Sequence, residues 1–137
     1  MRLNFKLGIF ARMNASWPES WSGQTHMDCG EDGQVLTSVS TPSQPSGAHQ
    51  QTFHLITNRW HTIWPEFRSA ITDLMGRHKQ EQPDWSDIRL LYLELPDEPL
   101  AEAAEWSIGV VFSKADTMWI LPYSGWTAAP NRAQASW

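Results

Sequence analysis

Cysteine is almost absent from this sequence, in which Cys29 is the single cysteine. One thiol excludes an internal disulfide and any metal site of the CxxC type, and it is typical of a reducing compartment, so we expect a cytoplasmic protein. No apolar run approaches the roughly 18 residues that a membrane-spanning helix requires. The first residues alternate between apolar and polar, whereas a signal peptide needs an unbroken apolar core. We therefore expect neither a membrane span nor a secretory signal.

Recognisable catalytic motifs are lacking as well. The eight glycines are dispersed, and none of them falls in a phosphate-binding loop. The zinc-protease pattern HExxH and the nucleophile elbow GxSxG do not occur. We therefore expect no cofactor, no metal site and no catalytic residues that a motif would identify.

The composition that remains is that of an ordinary folded domain. The chain has 137 residues, of which 41% are hydrophobic and 18% are charged, and this length predicts one domain with its own core. We place the domain at residues 1–126 and expect residues 127–137, which are rich in small side chains, to form a loose tail. The formal net charge of −5 argues against nucleic acid as a partner, because binding phosphates requires a basic surface.

Three strands are predicted in the first part of the chain. Apolar residues occupy the odd positions from Leu3 to Met13, with mostly polar residues between them, and this period of two is typical of a strand with one buried face. Asp32-Gly33 is a hairpin signal, because a tight type I′ turn needs positive φ at both central residues. Its flanking strands would be residues 24–28 and 34–40.

One long helix is predicted from Gln50 to His78. Pro65 lies inside it, and a proline removes one backbone donor and crowds the preceding turn. Because the apolar stripe of the helix continues in phase through Pro65, we expect a single helix that is kinked there. The stripe consists of Phe53, Ile56, Trp60, Ile63, Phe67, Ala70 and Leu74.

Three further strands are predicted after the helix, at residues 88–95, 106–113 and 117–123. Hairpins on both sides of a single helix favour an antiparallel sheet. The expected fold class is therefore α+β in the order βββ-α-βββ, with about six antiparallel strands and the kinked helix packed across one face. The strand residues expected beneath the helix are Leu3, Phe5, Leu7, Trp106, Ile108 and Val110.

Two pairs of side chains have spacings that could serve thiol or metal chemistry. His26 and Cys29 are three residues apart, and a histidine near a thiol can favour the nucleophilic thiolate or begin a metal site. A strand running into a turn would, however, place these two residues on opposite faces. His54 and His61 lie seven apart on the helix, which is too far for the i, i+4 spacing that suits one metal.

A small enzyme is nevertheless an alternative that the sequence leaves open. Glu66 and Asp73 are also seven residues apart, and salt bridges with helical neighbours explain such carboxylates better than acid–base catalysis does. An active site would lie in a cleft between the helix and the sheet. Its candidate residues are His61, Glu66, His26 and Cys29.

Acidic residues concentrate in one predicted connector. Between Glu94 and Glu105 no basic residue interrupts the carboxylates. Like charges at close spacing repel one another, so this segment is either a solvated loop or a negative patch that steers and orients a basic partner. The candidate partner-binding residues are Asp97, Glu98, Glu102 and Glu105.

Tryptophan is unusually frequent, with nine copies. Trp60 and Trp106 fit the apolar stripes, so we expect them in the core. Other tryptophans fall in predicted loops, where they either cover a sheet face or stand exposed as contact residues, since tryptophan is enriched in binding hot spots. The aromatic candidates for partner binding are Trp17, Trp21 and Trp85.

The order of elements and the aromatic final hairpin resemble a known class of proteins. The relevant segments are QQTFHLITNRWHTIWPEFRSAITDLM, DIRLLYLELPDE and EWSIGVVFSKADTMWILPYSGW. Together they look like the small bacterial α+β proteins found among toxin-immunity proteins, over the C-terminal two thirds of the chain. The resemblance implies a cytoplasmic inhibitor that plugs the active site of a toxin. It carries over no functional residue and does not identify the toxin.

These features favour a non-enzymatic protein-binding module, of which an immunity-type inhibitor is the most specific form. The acidic connector and a loop tryptophan would face a basic protein partner such as a toxin domain, and neither nucleic acid nor a membrane is expected as a partner. The alternatives are the small enzyme and a structural subunit that associates with itself through a sheet edge or aromatic loops. We expect the chain to be a monomer or a weak homodimer.

Overall fold

The computed structural model describes residues 3–5, 8–12, 21–78, 82–100, 104–114 and 117–136. Two helices lie in the middle of the chain, α1 (Gly47–Asn58) and α2 (Trp60–Arg77). The strands are β1 (Leu3–Phe5), β2 (Gly8–Arg12), β3 (Trp21–Asp28), β4 (Gln34–Thr41), β5 (Ile88–Glu94), β6 (Glu105–Phe112), β7 (Met118–Ser124), β8 (Thr127–Ala128) and β9 (Gln134–Ser136).

The strands form a mixed sheet in the order β1-β2-β3-β4-β5-β6-β7-β8, and β9 also pairs with β7. The α+β class is confirmed, but the expectation of an antiparallel sheet is wrong at its centre. There β4 and β5 run parallel, with Thr37 opposite Leu91. Parallel neighbours require a crossover connection, which is usually helical. The two helices supply it, because they leave the end of β4 and return the chain to the start of β5.

The single helix expected at Gln50–His78 is also wrong, since the structure has two helices that meet at Arg59. Arg59 has φ −107° and ψ 7° and is the end of α1 as well as the start of α2. Pro65, where the kink was expected, lies inside α2. Neither of these helices is long and apolar enough to span a membrane.

The core lies between the helices and one face of the sheet. Buried side chains of α1 and α2, including Phe53 and Phe67, form one cluster with buried side chains of β4, β5, β6 and β7. Three of the expected strand partners belong to this cluster, namely Trp106, Ile108 and Val110. The other three expected partners, Leu3, Phe5 and Leu7, lie outside the described side chains.

The segment expected to be a loose tail is instead attached to the sheet. Its strands β8 and β9 both pair with β7, and a short 3₁₀ turn at Pro130–Arg132 separates them. Ala133 and Ala135 pack against the core, and the Ala129 N–H donates to the Pro122 carbonyl oxygen at 2.8 Å.

Candidate functional site

A cleft of about 840 Å³ lies between the β3–β4 connection and one side of α2. The connection forms one wall, and the other is a ridge of α2 on which side chains recur at spacings of three and four. Four carboxylates and one guanidinium line this space. The lining residues are Asp28, Cys29, Gly30, Glu31, Asp32, Trp60, His61, Trp64, Pro65, Arg68, Ser69, Thr72 and Asp73.

The β3–β4 connection owes its shape to two glycines. The hairpin is confirmed, with β3 and β4 paired along their whole length, but a 3₁₀ turn at Gly30–Asp32 replaces the tight two-residue turn that Asp32-Gly33 predicts. Gly30 and Gly33 have φ values of 61° and 82°, which glycine adopts far more readily than other residues. Asp28 accepts a hydrogen bond from the Gly30 N–H at 3.0 Å, and this bond holds the start of the turn.

Asp32 ties this connection to α2. One oxygen of its carboxylate, Oδ2, accepts a hydrogen bond from Trp64 Nε1 at 2.8 Å and another from Arg68 Nη1 at 2.9 Å. The Asp32 side chain is 9% exposed, whereas that of Arg68 is 36% exposed. A carboxylate with this little exposure needs such partners, because removing a charge from water is costly unless it is paired. The Asp32 carboxylate is therefore occupied by contacts that hold the turn against α2. Asp28 and Glu31 are the exposed carboxylates on this wall of the cleft.

Aromatic rings back the α2 wall of the cleft. Trp60 and Trp64 stack with ring centroids 5.8 Å apart, and Trp85 meets Trp64 edge-to-face at 5.5 Å. The Arg68 guanidinium lies 5.3 Å from the Trp85 ring centroid, which is within reach of a cation–π interaction. The sequence leaves two roles open for Trp85, an exposed contact residue or a side chain that covers the sheet. Trp85 is 8% exposed and belongs to the core. Its area is used in packing, so it is not an exposed contact.

Cys29 lies in the cleft wall as a protonated thiol. The residue is 2% exposed, and burial raises the pKa of its thiol to about 11, against the ordinary value of 9.0, with the carboxylates of Asp32 and Asp28 adding to the rise. A contact with the Trp60 indole acts in the opposite direction but is outweighed. Because the nucleophile in cysteine chemistry is the thiolate, this environment does not activate Cys29.

The structure brings together only part of the candidate catalytic set. Cys29 and His61 both line the cleft, whereas His26 and Glu66 do not. His26 is exposed on β3, opposite Leu36. Within the described residues no group of three or more histidine, cysteine or carboxylate side chains could hold a metal ion. Of the four candidate residues, the cleft therefore brings together Cys29 and His61, and the described part of the chain offers no cluster for a metal ion.

The acidic connector is not a uniform free patch. Asp97 accepts a hydrogen bond from Ser43 at 2.7 Å and contacts His49 Nε2 at 2.9 Å. Partial burial alone would raise the pKa of Asp97, but these two hydrogen bonds hold it below its usual value. Glu105 pairs with Arg132 at 3.1 Å.

The remaining candidates of the connector and of the loops are placed as follows. Glu98 is exposed, and Glu102 lies outside the described residues. Trp17 also lies outside them, and Trp21 is described as backbone in β3 without its side chain. Glu98 does not line the cleft.

Sequence reasoning named Cys29 and His61 of the cleft lining but missed the other residues that build it. Trp60, Trp64 and Arg68 are four residues apart in turn, so a helical reading places them on one side of α2. The turn contributes Asp28 and Asp32. The spacing on α2 and the acidic run around Gly30 were both visible in the sequence, but no local pattern indicates that the two segments meet.

Comparison of the chain with protein families, with curated proteins and with solved structures found no match. The resemblance to toxin-immunity proteins therefore stays a prediction from the sequence. The candidate site rests on the geometry of the cleft alone.

Proposed function

We propose that this protein is a non-enzymatic binding module that takes up a basic segment of a protein partner in the cleft. The observation that carries the proposal is an open cleft of about 840 Å³ whose carboxylates outnumber its cations. Asp28 and Glu31 are exposed there, and neither has an ion pair with a described residue. Such carboxylates attract a cationic partner and orient it as it docks.

The electrostatic field inside the cleft supports this proposal. Burial is the main cause of the raised pKa of the Cys29 thiol, and the carboxylates of Asp32 and Asp28 add to it as negative charges near the wall. These carboxylates disfavour a negative thiolate at Cys29. They would favour a positively charged side chain that enters the cleft. The sequence analysis expected the partner-binding surface on the acidic connector, but Asp97 and Glu105 already have partners there. We place the binding site instead between the β3–β4 turn and α2.

The most specific form of the proposal is an immunity-type inhibitor in the cytoplasm, with the basic active site of a toxin as the partner surface. The sequence resemblance motivates this form, and the single cysteine of the chain agrees with the location. The general proposal requires only that the partner be basic. A toxin domain is one protein of that chemistry.

The proposal is tested by neutralising the two exposed carboxylates of the cleft that have no ion pair with a described residue. A double variant Asp28→Asn with Glu31→Gln is titrated with a fluorescent hexa-arginine peptide, and fluorescence anisotropy gives the dissociation constant. The matched control, Glu94→Gln with Glu98→Gln, removes the same charge from exposed positions that do not line the cleft. We expect the dissociation constant to rise about tenfold for the cleft variant and by less than about twofold for the control. Equal effects in the two variants would show that the peptide responds to net charge and would refute the cleft as its site.

A further inference from the structure

The α2 wall of the cleft is built from two parallel columns of side chains. Trp60, Trp64 and Arg68 belong to the inner column, whose side chains contact the β3–β4 connection. The outer column follows the inner one by one residue, and residues four apart on a helix lie on the same side of it. The outer column forms the open rim of the cleft, and its members are all exposed. They are His61, Pro65, Ser69 and Asp73.

The cleft is elongated along the axis of α2. Its helical wall extends from Trp60 to Asp73, and a rise of 1.5 Å per residue places these two residues about 20 Å apart along the axis. In the opposite wall, Cys29 contacts Trp60 at one end. Asp32 bonds Arg68, about two helical turns further along α2. The two walls therefore run side by side in the same direction.

The volume of the cleft matches an extended chain better than a helix. The spacings of strands and of stacked sheets give an extended chain a cross-section of about 5 Å by 10 Å, so that 20 Å of it fills about 1,000 Å³. A helix with its side chains is 10–12 Å across, and 20 Å of it fills about 2,000 Å³. The cleft has a volume of about 840 Å³, which is close to the value for the extended chain.

The polarity of the cleft disfavours a helix that enters it only in part. A helix that lies in a groove buries an apolar face there. Three of the four rim residues, His61, Ser69 and Asp73, are polar. Trp60 and Trp64 stand behind the rim and are each 4% exposed, so their rings offer little surface to an apolar face.

An unpartnered donor in the wall of the cleft favours the extended chain independently of volume. Trp60 lines the cleft, and its buried Nε1 has no hydrogen-bond acceptor in the part of the chain that the structure describes. Its neighbour is the Cys29 thiol, and sulfur is only a weak acceptor. A helix uses its carbonyl groups internally, whereas an extended chain presents free carbonyls along its length. An extended occupant could therefore supply the acceptor that this N–H lacks.

We infer that the basic segment of the partner binds in the cleft as an extended chain of about six residues. This inference rests on the proposed function, because it assigns a conformation to the segment proposed there. The cationic side chains of the segment lie beside Asp28 and Glu31, since Asp73 already pairs with Arg77. One backbone carbonyl of the segment accepts a hydrogen bond from Trp60 Nε1, in place of the contact with the thiol.

Two peptides of equal charge test the extended conformation. Each carries three arginines, which alternate with proline in the first peptide, because proline keeps a chain out of the helix. In the second peptide they are spaced four apart on an alanine helix locked by a hydrocarbon staple. Fluorescence anisotropy should show that the alternating peptide binds the wild-type chain at least about fivefold more tightly. We expect the alternating peptide to lose this advantage in the double variant Asp28→Asn with Glu31→Gln.

The outcomes separate this inference from the proposed function. An alternating peptide that binds no more tightly than the stapled helix would overturn the extended conformation, even where hexa-arginine still binds in the cleft. Hexa-arginine that binds the cleft variant and its matched control equally well would instead refute the proposed function.

A matched pair of variants tests the hydrogen bond from Trp60. Trp60→Phe and Trp119→Phe each remove a buried indole N–H that has no acceptor among the described residues, and of the two positions Trp60 alone lines the cleft. The dissociation constant of the alternating peptide should rise about fivefold in Trp60→Phe and by less than about twofold in Trp119→Phe. Thermal unfolding of both variants confirms that they fold. Equal dissociation constants in the two variants would overturn the inference.

Discussion

Arg68 donates a hydrogen bond to Asp32 at 2.9 Å, and 36 residues of chain separate the two. This contact joins the β3–β4 connection to α2, which are the two walls of the cleft. The same carboxylate oxygen accepts the indole N–H of Trp64 at 2.8 Å. Asp32 thus holds two different side chains of α2 from a single position in the turn.

The first prediction concerns the Asp32 carboxylate. Asp32→Ala should lower the free energy of unfolding by about 1–3 kcal/mol, because it leaves the buried Trp64 N–H without an acceptor and removes the partner of Arg68. Urea denaturation followed by tryptophan fluorescence measures the change. The neighbouring exposed carboxylate provides the control, since Glu31→Ala should change the free energy of unfolding by less than about 0.5 kcal/mol. Equal effects would mean that Asp32 does not stabilise the cleft.

The second prediction concerns the reactivity and the pH dependence of Cys29. Burial raises the pKa of its thiol to about 11 in the folded chain, against an ordinary value of 9.0. Between these two values the unfolded chain has lost the proton while the folded chain keeps it, so the free energy of unfolding falls as pH rises, by at most about 1.4 kcal/mol per pH unit. Urea denaturation between pH 8.5 and pH 10.5 should show this loss in the wild type and a smaller loss in Cys29→Ala. Parallel pH profiles for the two chains would contradict the buried thiol.

Alkylation provides a separate test of the same thiol. Iodoacetamide at neutral pH should modify Cys29 slowly in the folded chain and rapidly in urea, because the thiolate is the reactive form and the side chain is 2% exposed. The rate is followed by mass spectrometry. A folded chain that reacts as fast as the unfolded one would revive Cys29 as a nucleophile and with it the alternative of a small enzyme.

The third prediction concerns Asp97 and His49. Hydrogen bonds hold the pKa of Asp97 below its ordinary value of 3.8, so the stabilisation is present above that value and is lost as pH falls through the lower pKa of the folded state. Near neutral pH, Asp97→Ala should cost about 1 kcal/mol, because His49 is 2% exposed and loses a hydrogen-bond partner. Thermal unfolding at pH 7 and at pH 3 measures the effect, which should shrink at the lower pH. Glu98→Ala is the control and should be nearly silent at both pH values.

The fourth prediction separates a buried tryptophan from an exposed one. Trp85 meets Phe112 edge-to-face at 5.1 Å and is 8% exposed, whereas Trp126 is 36% exposed. Trp85→Ala should therefore lower the free energy of unfolding by about 3–5 kcal/mol, while Trp126→Ala should lower it by about 1 kcal/mol, mainly through its contact with Arg59. Chemical denaturation of both variants decides the matter. A mild effect of Trp85→Ala would restore its expected role at the surface.

The sequence predicts the parts of this fold that depend on local periodicity. The stripe from Phe53 to Leu74 indicates helix correctly. The alternation around Ile108 indicates a strand correctly, but the single buried face expected for it is wrong, because β6 is buried on both faces from Ile108 to Phe112. Neither pattern reports direction, so the parallel pairing of β4 with β5 could not be seen in it. The helix is interrupted at the single residue Arg59, and the apolar period stays in phase on both sides, so the pattern does not show the interruption. Pro65 suggested a kink at the wrong place, because it lies inside α2.

The candidate site was harder to predict because it is built from contacts between distant segments. The sequence indicates a turn at Asp32 and places Arg68 within the predicted helix, and no local rule pairs them. The acidic connector is conspicuous in composition, but composition does not reveal that Asp97 faces His49. Trp85 illustrates the same limit, because its loop position in the sequence conceals a buried position in space.

The parallel pairing of β4 with β5 has a consequence for the order in which the chain folds. The hairpins β3–β4 and β5–β6–β7 need only short loop closures, which are rapid. Joining Thr37 to Leu91 requires the whole crossover to be in place, and contacts between residues so far apart in sequence slow folding. Substitutions in α1 and α2 that loosen the crossover should therefore lower the refolding rate more than substitutions at the hairpin turns do.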